Sequence, residues 1–188
     1  VFSNNKVTAT VRSSNSGMVK KYPDIYGGVI SNQGTIGDIT ADFLNNSIKT
    51  NTYGYASSDT SGGAIYNEGM IKSITGDFIG NSASAGGEDS VSGVAIYNKG
   101  TITSIIGKFI GNSATGGSSA YALGGAIYNG GTISSINGDF TGNRVTSYNA
   151  FGAAIYNGGT ISSITGDFIS NSATSKYSSA RGGAIYNY

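Results

Sequence analysis

The chain has 188 residues, 11 basic side chains against 10 acidic ones, and neither Cys nor His, which excludes disulfide frameworks, thiol nucleophiles, imidazole bases and zinc sites built on those ligands. A net charge of +1 gives no long-range field, and no basic cluster alternates with aromatic residues, so no nucleic-acid partner is expected. Gly, Ser, Thr and Asn supply most of the polarity while Ile, Phe and Tyr recur at intervals, a mixture that favours short strands and turns over disorder.

In chain order, Val1 to Asn5 aligns with the later Asp42 to Asn46, so the chain is expected to open inside a repeated unit. A block then recurs five times, at Val29 to Asn46, Ala64 to Asn81, Ala95 to Asn112, Ala126 to Asn143 and Ala154 to Asn171, with nothing inserted inside it. Each copy holds short apolar runs split by Gly and Asn, too brief for helices and without a 3.6-residue rhythm. The connections 47–63, 82–94, 113–125, 144–153 and 172–183 differ in length, so variation is confined to one corner of the unit. Ala184 to Asn187 begins a further block, and the chain is expected to close inside a coil. Flanking β-helix or end-to-end self-association would then cover the open strand edges. No run approaches the ~18 apolar residues of a membrane span, and the first residues lack the order of an export signal, so no membrane contact is expected of this segment.

A unit of this size cannot bury its own apolar face and must stack on its neighbours. The expected fold is all-β: a single-stranded, right-handed parallel β-helix of about six coils, one segment over residues 1–188 with partial coils at both ends. Right-handed crossover is the strong default for such connections, and layers sit roughly 4.8 Å apart.

Stacking turns every repeated position into a column. Phe2, Phe43, Phe78, Phe109, Phe140 and Phe168 form an aromatic stack, and Ile30, Ile65, Ile96, Ile127, Ile155 and Ile185 form an apolar one. Two further Ile columns run through Ile71 and Ile74 and their equivalents. Asn81, Asn112, Asn143 and Asn171 continue a ladder from Asn46, and Asn67, Asn98, Asn129, Asn157 and Asn187 make a second, with amides able to bond the coils above and below. The Tyr column (Tyr66, Tyr97, Tyr128, Tyr156, Tyr186) is expected to face solvent by strand alternation, either as a sticky stripe or as plain stacking of good strand formers. Asp42, Asp77, Asp139 and Asp167 share a column interrupted by Lys108, which argues against a calcium ladder.

The motifs GGAIYN (Gly62 to Asn67, Gly124 to Asn129, Gly182 to Asn187) followed by FIGN (Phe78 to Asn81, Phe109 to Asn112) resemble the GGAI and FxxN repeats of polymorphic outer membrane proteins, which are autotransporter passengers. The resemblance covers essentially the whole array. Individual copies depart from it, as GGVISN at Gly27 to Asn32, GVAIYN at Gly93 to Asn98 and GAAIYN at Gly152 to Asn157. It implies surface display and adhesion, with export by a membrane barrel that this chain does not contain.

The connections leave one corner and should form a ridge along the rod, where loops on a rigid scaffold commonly bind. Tyr53, Tyr55, Tyr121, Tyr148, Phe151 and Tyr177 sit there among Ser, Gly and Asn, a mixture like that of antibody paratopes. A tolerant, solvated loop is the competing reading. Catalysis is not expected: neither Asp38 with Asp42 nor Glu88 with Asp89 converges with an Arg or Lys at a repeated groove position, and Arg12, Arg144 and Arg181 are scattered outside the central strands of the blocks. Ice binding is not expected either. Thr35, Thr101, Thr132 and Thr160 share a column, but Met70 interrupts it and the neighbouring column reads Gly37, Lys72, Thr103, Ser134 and Ser162.

The sequence therefore points to an extracellular, adhesin-type passenger segment, secreted or on a bacterial outer surface, without cofactor or metal. Its expected partners are host-cell, matrix or glycan surfaces. A purely structural stalk or self-stacking filament subunit is the alternative.

Overall fold

Strands of two to seven residues separated by turns make up the computed structural model, which describes residues 1–12, 20–21, 24–53, 56–175 and 177–188. Every pairing among the described residues is parallel and joins one coil to the next. The result is a β-solenoid of about five turns, close to the six coils expected: four of its sheets have six strands and a fifth has five.

One coil illustrates the course of the chain. Ile96–Asn98 belongs to the first sheet, Thr101–Ile106 to the second, Phe109–Ile110 to the third, Ser113–Thr115 to the fourth and Tyr121–Leu123 to the fifth. A Gly-Gly turn then leads back to Ile127–Asn129, directly beside Ile96–Asn98. A two-stranded pairing of Lys20–Lys21 with Ala56–Ser57 stands apart. Register is strict in the repeated blocks: Ile pairs with Ile, Tyr with Tyr and Asn with Asn between coils. The Asn ladder advances by 35, 31, 31 and 28 residues per coil. The sheets nevertheless stay in register, because the length changes fall in the connections.

The core has two parts. In the first, Ile65, Ile71, Ile74 and Phe78 and their equivalents pack with Ala64, Ala95, Ala126 and Ala154. The Phe rings stack face to face, with centroids 4.7 Å apart for Phe43 and Phe78 and 4.9 Å for Phe78 and Phe109. The second part was hidden in the connections. Ile48, Ala83, Ala114 and Val145 of the fourth sheet pack with Val91, Ala122 and Ala150 of the fifth. The segments read as loops are thus largely strand, and Ala, too small to stand out in a polar stretch, makes much of their buried face.

The first Gly of each GGAI copy (Gly27, Gly62, Gly93, Gly124, Gly152, Gly182) has φ between 58° and 69°, a left-handed conformation that L side chains resist. That position is Gly in all six copies, whereas the next one accepts Val94 and Ala153.

Candidate ligand-binding ridge

Alternation along the fifth sheet sets the ridge. Ala122 and Ala150 point inward and are fully buried, so their strand neighbours Tyr121, Leu123 and Phe151 face outward. Tyr121 is 49% exposed, and its ring lies 6.2 Å from that of Phe151, tilted by 52°. Phe151 also stacks on Tyr186 at 5.1 Å and carries the Arg181 guanidinium 5.7 Å from its centroid.

Tyr148 and Tyr177 form a second cluster. Tyr148 occupies the bend between Arg144–Ser147 and Asn149–Phe151, where its carbonyl accepts a 2.6 Å hydrogen bond from the Ser175 hydroxyl. Together with Tyr177, Gly116, Gly117, Thr146 and Thr174 it lines a concavity of about 190 Å³, with Ser118 and Ser147 completing the wall. The Ser147 hydroxyl is committed to the Ala120 carbonyl at 2.9 Å. Four of the six aromatic residues assigned to the ridge are thus described in two groups, Tyr121 with Phe151 and Tyr148 with Tyr177. Two pairs come together, Tyr53 is placed only by its backbone at the end of Ser47–Tyr53, and Tyr55 lies outside the described residues.

Ser118, Thr146 and Thr174 were not singled out from the sequence. A signal existed for two of them: Thr146 and Thr174 are register partners in Arg-Val-Thr and Ser-Ala-Thr, each following the block-ending Asn.

Tyr128, Tyr156 and Tyr186 of the Tyr column are partly exposed, but Tyr66 and Tyr97 do not face open solvent, contrary to the sequence expectation. Tyr66 is 2% exposed and Tyr97 is buried, because the Gly-Gly turn brings the outer faces of the fifth and first sheets together at a corner. There Tyr26 stacks on Tyr66 at 4.3 Å, and the Tyr66 hydroxyl donates to the Glu68 carboxylate. The Lys99 ammonium lies 5.5 Å from the Tyr97 centroid. Burial pushes the hydroxyls of Tyr66, Tyr97, Tyr128 and Tyr156 above the ordinary tyrosine range, and for Tyr66 the bond to Glu68 adds to it.

Asp38, Asp42 and Asp89, and with them the Asp column, are engaged between coils, whereas Glu88 is exposed. Asp42 accepts the Asp77 N–H at 3.0 Å, Asp77 the Lys108 N–H at 2.8 Å, and Asp139 the Asp167 N–H at 3.1 Å. Asp38 accepts from the Ser73 hydroxyl and pairs with Lys72; the first contact and then the second hold its carboxyl below the usual range. Asp89 is fully buried, its carboxylate accepting the Ser58 N–H at 2.6 Å. Among the described residues no group of three or more Asp and Glu stands close enough to hold a metal ion. No family model, curated protein or solved structure significantly matches this chain.

Proposed function

We propose that this chain is an adhesin-type segment of a bacterial surface or secreted protein, resembling an autotransporter passenger, whose solenoid presents the ridge to host-cell, matrix or glycan surfaces. The observation that carries the reading is the concavity between Tyr148 and Tyr177. It lies on the edge where coil length varies, on a scaffold whose repeated blocks hold register. Binding surfaces are commonly built this way, with adaptable connections on rigid elements.

A structural stalk or self-stacking filament is the second reading. It is favoured by how much of the polar chemistry is spent within the rod, where Asn and Asp side chains bond to neighbouring coils throughout. Binding of the purified chain to arrayed matrix proteins, glycans and host-cell membranes, together with light scattering over a concentration series, separates the two. Adhesion predicts saturable binding by a particle of constant mass. Mass rising with concentration and no surface binding would leave the structural reading.

A further inference from the structure

The concavity is lined from three successive connections, by residues 116–118, by residues 146–148, and by Thr174 and Tyr177. Its volume of about 190 Å³ is below the ~300–1,000 Å³ of sites for drug-sized ligands, which limits it to one ring. The described lining residues offer a ligand aromatic rings, hydroxyls and backbone. Two Tyr side chains supply aromatic surface, and Tyr177 is 65% exposed. Around them the exposed Ser118, Thr146 and Thr174 add hydroxyls that both donate and accept. Gly116 and Gly117 contribute bare backbone.

Aromatic surface beside a neutral hydroxyl rim matches a ring that is apolar on its C–H face and rich in hydroxyls at its edge. A lipid chain would leave the rim unused and needs more depth, and an aromatic peptide side chain would engage only the two Tyr. We infer that this concavity is a subsite for a single pyranose, the terminal sugar of a glycan, an inference that rests on the adhesive reading above. Tyr148 and Tyr177 hold the sugar's C–H face, Thr146, Thr174 and Ser118 bond its hydroxyls, and the rest of the glycan leaves along the ridge.

The test is saturation-transfer NMR on the full chain with the methyl pyranosides of galactose, glucose and mannose, and with N-acetyl-phenylalaninamide as a peptide-like probe. At least one glycoside should bind, and Tyr148→Ala or Tyr177→Ala should each weaken it by about tenfold or more, equivalent to ~1.4 kcal/mol. Thr103→Ala, on the second sheet, should leave it unchanged. Tyr177→Ala keeps the test valid if Tyr148→Ala perturbs the fold, because its side chain is exposed. Glycoside binding that survives both Tyr variants, or preference for the phenylalanine probe, overturns the inference. No glycoside binding by a chain that still adheres to cells overturns the subsite and spares the adhesive reading. Absence of both removes the two together.

Discussion

Asn81 and Asn112 are joined twice: the backbone N–H and the side-chain amide of Asn81 both donate to Oδ1 of Asn112, at 3.1 and 3.0 Å. The amide of Asn112 then donates to the Phe78 carbonyl at 2.9 Å and to Asn143 Oδ1 at 2.9 Å. Each Asn side chain thus satisfies the turn of the preceding coil and bonds the Asn of the following one, and Asn112 is fully buried.

Replacing Asn112 by Asp removes both amide donors and sets a carboxylate against the Phe78 carbonyl and Asn143 Oδ1. Unsatisfied buried groups cost about 1–3 kcal/mol each, more when charged, so Asn112→Asp should lower stability by ~3 kcal/mol or more in urea titration. Asn171→Asp, at a partly buried rung, should cost clearly less.

Two glycines should respond to Ala to very different degrees. A Cβ on Gly124 would meet the Ile127 carbonyl oxygen at 2.2 Å, at φ +68°, whereas one on Gly34 meets nothing within 4 Å. Gly124→Ala should destabilise by ~1–3 kcal/mol and Gly34→Ala by less than ~0.5 kcal/mol, read from thermal melts of the two variants.

Stability should fall on the alkaline side. Tyr66 and Tyr97 are buried with hydroxyl pKa values raised by burial, so above pH ~10 the unfolded chain loses these protons while the folded chain keeps them. The unfolded state then binds fewer protons, and each such Tyr removes about 1.4 kcal/mol of stability per pH unit. Their contribution is complete below pH ~10 and is lost as pH rises towards the folded value. Melting temperature should drop over this range. The tyrosinate absorbance of the folded chain should show a late-titrating fraction that Tyr66→Phe reduces.

Register can be tested with cysteines because the chain has none. Ser104 and Ser135 are direct partners in adjacent coils, as are Ser135 and Ser163, and neighbouring parallel strands lie ~4.8 Å apart, within the Cα range of a disulfide. Ser104→Cys with Ser135→Cys should cross-link on mild oxidation. Ser104→Cys with Ser163→Cys, two coils apart, should not cross-link within one molecule.

The fold was legible because its main columns are written in large residues. Phe43 to Phe168 and Ile65 to Ile155 recur inside blocks that admit no insertion, and equal residues stack in a parallel register. The second core escaped notice because Ala83, Ala114, Ala122 and Ala150 carry little hydrophobic signal among Ser and Gly. Alternation correctly turned the Tyr column away from the Ile column, but it says nothing of what lies beyond the strand. Covering Tyr66 depends on the corner that brings Tyr26 across it. The pairing of Tyr148 with Tyr177 was equally out of reach, since it depends on where two connections of unequal length turn.

The most direct test of the ridge is adhesion to host cells by three forms of the protein. One is intact, one carries Tyr121→Ser, Tyr148→Ser, Phe151→Ser and Tyr177→Ser, and one carries Thr103→Ala, Ser134→Ala and Ser162→Ala on the second sheet. Confining the changes to these side chains spares Ala114, Val145 and Ala173, which the same connections contribute to the core. Adhesion that falls by about tenfold or more, ~1.4 kcal/mol, in the ridge form and persists in the second-sheet form is the predicted result. Equal adhesion by all three, or loss only in the second-sheet form, would contradict it.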